Sequence, residues 1–457
     1  MQLKKGQVVE LDIVTLAFEG AGIGSYHGLK VFVMGTMPGD KVEASFTKIK
    51  KSFAEAKLVR IIEPSKNRIK EKCKYASQCG GCQLQFMPYE MQVKMKKQHV
   101  IDAFERIGNL KSPPVKDVIA CDEDFYYRNK MEFSFGYDEN MEEALGFHVP
   151  GRRYDIIDID ECYLQSEYTV FILNEVRKFV RAQGWKPRKA AEDEGFLRSL
   201  YVREGKETGE VMVNLMTAGN EPENFRAELQ KFVEMLVGLK HKDKKIVSIY
   251  WSKKIAKRGV PTQIKEYLLY GKKALLEQIE DLKFEIMPQS FFQVNTLQAK
   301  VLYDKVKEYA LRDRQTTVFD LFCGTGTIGL YLARHVDSVL GIELNSDSCR
   351  IARENAQKNG IFNIDFYTGD VGKLLGTMRS RPSLIVVDPP RAGLNKRIIS
   401  DINRFAPNQL IYVSCNPSTL ARDCEWLKEY GYSVKEIQPV DMFPQTFHIE
   451  NICLLEK

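Results

Sequence analysis

Cys415 stands in Ser414-Cys415-Asn416-Pro417, directly after the apolar run Gln409 to Val413. The proline stops regular strand pairing, so the thiol belongs at a strand end. Asp388 opens Asp388-Pro389-Pro390-Arg391-Ala392-Gly393-Leu394 after a second apolar run, Leu384 to Val387. Two prolines fix φ and donate no N–H, which makes a stiff shelf for the acid. Near the C-terminus, His448 and Glu450 have period-two spacing, which would turn them to one face of extended chain. A soft thiolate in such company can add to carbon 6 of a uracil ring, giving an enolate whose carbon 5 attacks a sulfonium methyl. A base must then take the carbon 5 proton before the thiolate leaves. Glu450 is the candidate base, with His448 as a positioning residue. Buried strand cysteines are usually inert; the neighbouring motifs overturn that reading for Cys415. Arg391 follows the proline pair where amino-group methyltransferases often carry an aromatic residue, which argues against an exocyclic nitrogen target.

The methyl donor has its own signature. Val318 to Leu321 leads into Cys323-Gly324-Thr325-Gly326-Thr327-Ile328-Gly329 and then a helix through His335. Gly324, Gly326 and Gly329 give the GxGxxG spacing in its strand-turn-helix context, with Thr327 inside the loop. Asp320 at the loop mouth would repel a pyrophosphate but can pair with the ammonium of a methionyl group, which points to S-adenosylmethionine. The next strand, Ser338 to Ile342, ends in Glu343, placed for the ribose hydroxyls. The third, Ile364 to Tyr367, leads to Asp370, an adenine-side candidate. Acids at successive strand ends are where ligands of such sheets sit. Cys323 reads as a packing residue.

Cys73, Cys79 and Cys82 fall in the spacing C-x5-C-x2-C, with Gly80 and Gly81 as a tight turn. Clustered thiols in a reduced compartment suggest a soft-metal site, either zinc or iron–sulfur. Cys162 is one choice for a fourth ligand and Cys121 the other.

The elements that position these groups fall in three stretches. At 457 residues the chain exceeds one core, and 44% hydrophobic with 28% charged residues is a globular balance. Residues 1–62 read as short strands broken by Gly20, Gly22 and Gly24, a small five-stranded barrel of the OB type. Lys48, Lys50, Lys51, Lys57 and Arg60 cluster there, suited to a phosphate backbone or to a solvated face. Tyr89 to Ile107 reads as a helix, with Met91, Met95, Val100, Ala103 and Phe104 near helical spacing. Asp117 to Ile279 is mixed α+β, and Val318 to Leu455 alternates strand and helix, predicting a mostly parallel, doubly wound sheet. The net charge of +6 permits nucleic-acid binding without showing it. No apolar run is long enough to span a membrane, and the expected location is cytoplasmic.

Taken with Gln293 in Ser290-Phe291-Phe292-Gln293-Val294-Asn295, these motifs resemble the RNA uridine-5-methyltransferase family over nearly the whole chain. The resemblance implies cofactor contacts from Gln293, Phe322, Glu343 and Asp388, a nucleophile at Cys415 and a base at Glu450. It implies that residues 1–62 form a TRAM domain, an RNA-binding barrel. Residues 63–280 would then be a central domain, and 281–457 a Rossmann-like methyltransferase domain against which the 89–107 helix packs. It favours a 4Fe-4S cluster on Cys73, Cys79, Cys82 and Cys162. The family substrates are uridines in 23S rRNA or tRNA; the TRAM-plus-cluster layout looks more like the rRNA members, with the protein acting as a monomer. The rivals are an amino-group or protein methyltransferase with a basic barrel, and an iron–sulfur RNA-binding redox sensor.

Overall fold

The computed structural model describes residues 3–152, 154–189, 194–255, 262–314 and 316–457. Its strands form three larger sheets and one hairpin. The first sheet holds β1 (Val8–Asp12), β2 (Thr15–Leu16), β3 (Gly22–Tyr26), β4 (Leu29–Val33), β5 (Lys41–Ile49) and β6 (Phe53–Glu63), in the order β1-β5-β6-β4-β3-β2. Six strands replace the five expected from sequence. Val8 to Leu16 breaks in two where Ile13 N turns to Asp40 O, and the glycine-rich stretch itself pairs as β3. Glycine suits β3 because a Cβ at Gly22 would lie 2.0 Å from Thr36 Oγ1. Alternate residues of β1, β4 and β5 (Val9, Leu11, Val31, Val33, Val42, Ala44, Phe46) fill the interior.

The helix α1 (Tyr89–Arg106) comes next. The second sheet is built from β7 (Lys130–Tyr137), β8 (Glu143–His148), β9 (Ile156–Asp158), β10 (Leu197–Glu204), β11 (Glu210–Thr217), β12 (Lys245–Ile255) and β13 (Gln263–Gly271). The helices α2 (Glu167–Ala182) and α3 (Phe225–Gly238) share its core: Ile172, Leu173, Phe232 and Leu236 cluster with Phe133, Leu200 and Val213. A hairpin of β14 (Leu275–Ile279) and β15 (Leu282–Ile286) follows.

The third sheet has the order β18-β17-β16-β19-β20-β22-β21. It contains β16 (Thr317–Leu321), β17 (Ser338–Glu343), β18 (Ile364–Thr368), β19 (Leu384–Val387), β20 (Gln409–Ser414), β21 (Ser433–Val440) and β22 (Glu450–Glu456). The helices α4 (Thr296–Ala310), α5 (Thr327–Ala333), α6 (Ser346–Lys358), α7 (Val371–Leu374), α8 (Lys396–Phe405) and α9 (Pro417–Lys428) intervene. Strands β16 to β20 are mutually parallel, and β22 returns antiparallel between β20 and β21. Fully buried apolar strands such as Leu384-Ile385-Val386-Val387 are the mark of a sheet covered on both faces. The helix expected through His335 stops at Ala333.

The three stretches touch. α1 packs beside α9, and Val100, Ala103 and Phe104 join the core of the third sheet. The first sheet rests on the same body through Met37 against Phe86 and Met87, and through Phe18 edge-on to His99 and Phe447.

Candidate active site

Parallel register sets the site. Leu321 lies beside Ile342 and Val387, and Val387 beside Tyr412, so the residues just past β16, β17, β19 and β20 open at one sheet edge. Asp320, Phe322, Glu343, Asp388 and Cys415 all sit at or next to that edge. Ser414 pairs with Asn451 in the antiparallel ladder, which carries Cys415 to a position across from Glu450. Strand β20 ends there because Asn416 caps α9, its side chain accepting from Ser418 N, with Pro417 in the first turn.

The cofactor loop is tightly specified. Gly326 has φ +79°, and a Cβ on it would lie 2.7 Å from the Phe366 ring. A Cβ on Gly329 would lie 2.8 Å from Asp320 Oδ2, the oxygen that accepts from Gly329 N. Phe322 adopts a left-handed φ of 64°, a strained state for an aromatic residue that clusters at ligand sites. Glu343 accepts from Gly324 N at 3.1 Å and from Asn345 N at 2.8 Å. Thr327 starts α5 with its Oγ1 3.2 Å from Tyr303 Oη. Gln293 is buried, and its carbonyl accepts from Asn129 Nδ2, which ties the second sheet to the cofactor side. Asp370 is exposed and caps α7 by accepting from Lys373 N.

The acids crowd one another. Burial, followed by the Asp388 charge, pushes Asp320 up to about 8, and Asp320 Oδ1 has no partner among the described residues. Burial pushes Asp388 up to about 7. Glu450 is 6% exposed; burial and then Asp388 push it well above the carboxylate range, against the opposing pull of Arg391. A buried anionic cleft with an orphan carboxylate oxygen is matched to a cationic ligand. Cys415 is half-buried and pushed up to about 11, first by burial and then by Glu450; Arg391, within hydrogen-bond reach, acts the other way.

Arg391 is the functional residue whose role the sequence concealed. Its Nη2 lies 3.2 Å from His448 Nδ1, and it is a cation among acids beside the thiol. The only signal was a positive charge after the proline pair. His448 falls to about 4 through burial and then the Arg391 charge, so it is neutral near pH 7 and suited to positioning. The segment carrying His448 and Glu450 is braced from far upstream. Lys96 and Asp441, both fully buried, pair at 2.6 Å, and Lys96 Nζ also donates to Phe443 O. Tyr89 Oη donates to Asp441 Oδ2, while Gln92 exchanges hydrogen bonds with Gln445.

Cys73, Cys79, Cys82 and Cys162 line one cavity of about 60 Å³. Burial raises all four thiols, Cys82 to about 12 and Cys162 to about 11, and neighbouring thiols add to the rise at Cys79, Cys82 and Cys162. Cys121 is elsewhere, its Sγ 3.5 Å from Asn295 Nδ2. As the side chains stand, no group of three or more His, Cys, Asp or Glu among the described residues is drawn into a metal shell. Four thiols lining one pocket are nonetheless of the donor type that a soft centre takes. Gln83 N and Leu84 N, next to Cys82, both donate to Gln445 O, so this pocket adjoins the catalytic segment.

Residues 88–457 match the tRNA (uracil-5-)-methyltransferase family, and residues 2–59 match the TRAM domain. The chain belongs to the tRNA (uracil-5-)-methyltransferase family. It is accordingly an S-adenosylmethionine-dependent RNA uracil-C5 methyltransferase with an N-terminal TRAM domain. Similar relatives include an uncharacterised RNA methyltransferase of Halalkalibacterium halodurans, 36% identical, covering 99% of this chain and 98% of that one. Another, from Caldanaerobacter subterraneus, is 36% identical with full coverage of both. Among solved structures, the Pyrococcus abyssi tRNA (uracil-54, C5)-methyltransferase in complex with S-adenosyl-L-homocysteine is 29% identical. It matches with a TM-score of 0.75 over 98% of this chain and 100% of that one.

Proposed function

We propose that the chain makes 5-methyluridine in 23S rRNA through a covalent adduct of Cys415. The observation that carries the mechanism is the register placing Cys415 across from Glu450, with Asp388 between them and the cofactor loop. Cys415 Sγ forms a bond to carbon 6 of the uracil, and the ring becomes an enolate with its negative charge near O4. Arg391 favours the thiolate that this step needs. S-adenosylmethionine, once bound, supplies the sulfonium methyl that carbon 5 takes. Asp320, Phe322, Gly324, Gly326, Thr327, Glu343, Asp370, Asp388 and Gln293 are the residues proposed to hold it. Glu450 then accepts the carbon 5 proton as the C6–S bond breaks and the thiolate leaves. Its burial makes it a strong base once ionised, and a cation in the cleft favours that ionised form.

Phe291 is 65% exposed and its backbone carbonyl lies 3.5 Å from Thr325 Oγ1 of the cofactor loop; its exposed ring is proposed as a surface on which an unstacked base can rest. The thiol pocket is proposed to hold a 4Fe-4S cluster on Cys73, Cys79, Cys82 and Cys162. Residues 63–280 are then the cluster-bearing central domain and 281–457 the catalytic domain.

The rRNA assignment rests on the combination of TRAM domain and thiol pocket. A tRNA substrate is the second reading, favoured by the whole-length likeness to the Pyrococcus abyssi tRNA enzyme. Mass mapping of 5-methyluridine in rRNA and tRNA from a deletion strain decides between them: loss from 23S rRNA supports the first, loss from tRNA the second. Unchanged 5-methyluridine in both RNAs contradicts the assignment.

A further inference from the structure

One group of cations, Arg203 buried and Arg128 and Lys130 part-buried, has no part in this mechanism. Arg203 on β10 is 4% exposed; its Nη2 donates to Ser290 O at 2.8 Å, and its Nη1 has no partner among the described residues. Directly opposite on β7 is Lys130, and two residues earlier, just before that strand, is Arg128, whose charge acts on Lys130 and whose buried Nε has no partner among the described residues. Among the described residues, none of the three forms an ion pair. The acid whose charge acts on Lys130, Glu132, is engaged with Tyr201 Oη at 2.6 Å and Ser199 Oγ at 3.1 Å. Burial pushes Lys130 down to about 8 and Arg203 to about 10, and on Lys130 the two arginines add to the effect. A buried guanidinium with an orphan donor, beside a part-buried arginine with another and a lysine that both arginines repel, is costly without an anion.

Their placement says which anion. Arg128 bridges in register to Asn295, Asn129 holds Gln293 O, and Arg203 holds Ser290 O, so the row runs along the segment that carries Gln293. Arg128 lines the thiol pocket at one end, and its charge reaches His448 at the other. The row therefore passes beside the reaction centre. A cofactor carboxylate needs one cation; three along two strands suit an extended polyanion.

We propose that Arg128, Lys130 and Arg203 form a subsite for a phosphodiester of the RNA strand flanking the target uridine, a reading that rests on the RNA methyltransferase assignment. The buried fork of Arg203 would fix the phosphate, as guanidinium groups do, while Lys130 adds a point charge nearer solvent. The contact is sequence-independent and would set the register in which a uridine reaches Cys415.

Arg203 is too deeply buried to substitute first, so Lys130→Gln and Arg128→Gln carry the test, with Lys130→Arg as the rescue. Binding of a short fluorescent oligouridine is followed against salt. Each glutamine variant should lower the slope of log K on log[salt] by about 0.7, the value for one lost phosphate contact on a single strand. Lys130→Arg should restore it, and an oligouridine with an uncharged methylphosphonate backbone should bind wild type and variants alike. An unchanged slope in both glutamine variants overturns the proposal. So does a loss of S-adenosylhomocysteine affinity with the RNA slope intact, which would assign the cations to the cofactor carboxylate. Formation of 5-methyluridine by the same wild-type preparation is measured separately, so a wrong subsite and a wrong reaction leave different records.

Discussion

At the scale of single residues, the cleft depends on acids held out of water. Asp320 near 8 and Asp388 near 7 are raised above their unfolded values, so the stability these two groups contribute to the free protein is fully present at acid pH and is lost as pH rises through those values. A cationic ligand reverses that penalty, because it prefers the ionised acids. S-adenosylmethionine and S-adenosylhomocysteine share the ammonium but differ in the sulfonium charge. We expect the affinity ratio of the first over the second to rise between about pH 6 and pH 9 as the two acids ionise. Calorimetric titration of both ligands across that range checks it, and a flat ratio contradicts the electrostatic account. Residue positions were legible where type and place act together: Cys415, Asp388 and Glu450 each follow or begin a readable strand. Arg391 was not legible as a neighbour of the thiol, because its reach across to His448 depends on a long side chain and two loops distant in sequence. Asp370 keeps one oxygen on Lys373 N, a helix cap that a strand-end reading does not anticipate.

At the scale of elements, α1 shows what periodicity misses. Apolar spacing puts Met91 and Met95 inward, yet the fully buried positions include Gln92, Lys96 and His99. Gln92 and Lys96 meet the 441–445 segment, whose carboxylate and carbonyls demand donors, while His99 Nε2 lies 3.3 Å from Leu16 O, and no period of hydrophobicity encodes those demands. Lys96→Met leaves Asp441 buried and uncompensated, so unfolding by denaturant should show a loss of about 3–5 kcal/mol. A loss under about 1 kcal/mol would mean that the brace is not structural. In the first sheet, two cations of the sequence cluster are already spent: Lys48 pairs with Glu55, and Arg60 with Glu43. Lys50, Lys51 and Lys57 are exposed and lack an ion pair among the described residues. Replacing these three with Gln should flatten the salt dependence of RNA binding by about 2 in log–log slope, about 0.7 per contact. An unchanged slope removes this face from the RNA site. The split of β1 from β2, and the glycine strand β3, were hidden because a glycine-rich run reads as turn until a neighbouring strand is present to pair with it.

At the scale of the whole molecule, strand–helix alternation made the fold of residues 317–457 readable and the family resemblance placed α1 against it, whereas the particular pairs that join these distant stretches were not readable. The Lys96–Asp441 pair joins residues at opposite ends of the chain, as do the Gln83 and Leu84 bonds to Gln445. Only the folded chain brings the thiol pocket beside the catalytic segment. Protein purified without oxygen should be brown and carry about four irons per chain; stoichiometric zinc in a colourless preparation would replace the cluster assignment.

The covalent mechanism is tested most directly by separating its two steps. Glu450→Gln keeps the side-chain shape but takes up the carbon 5 proton poorly, so addition and methyl transfer proceed while release stalls. With S-adenosylmethionine and unmodified RNA, this variant should give a slow-migrating protein–RNA band on a denaturing gel, and the Cys415→Ala, Glu450→Gln double variant should give none. A band that persists in the double variant would show that Cys415 is not the nucleophile, and normal turnover by Glu450→Gln would show that another group is the base.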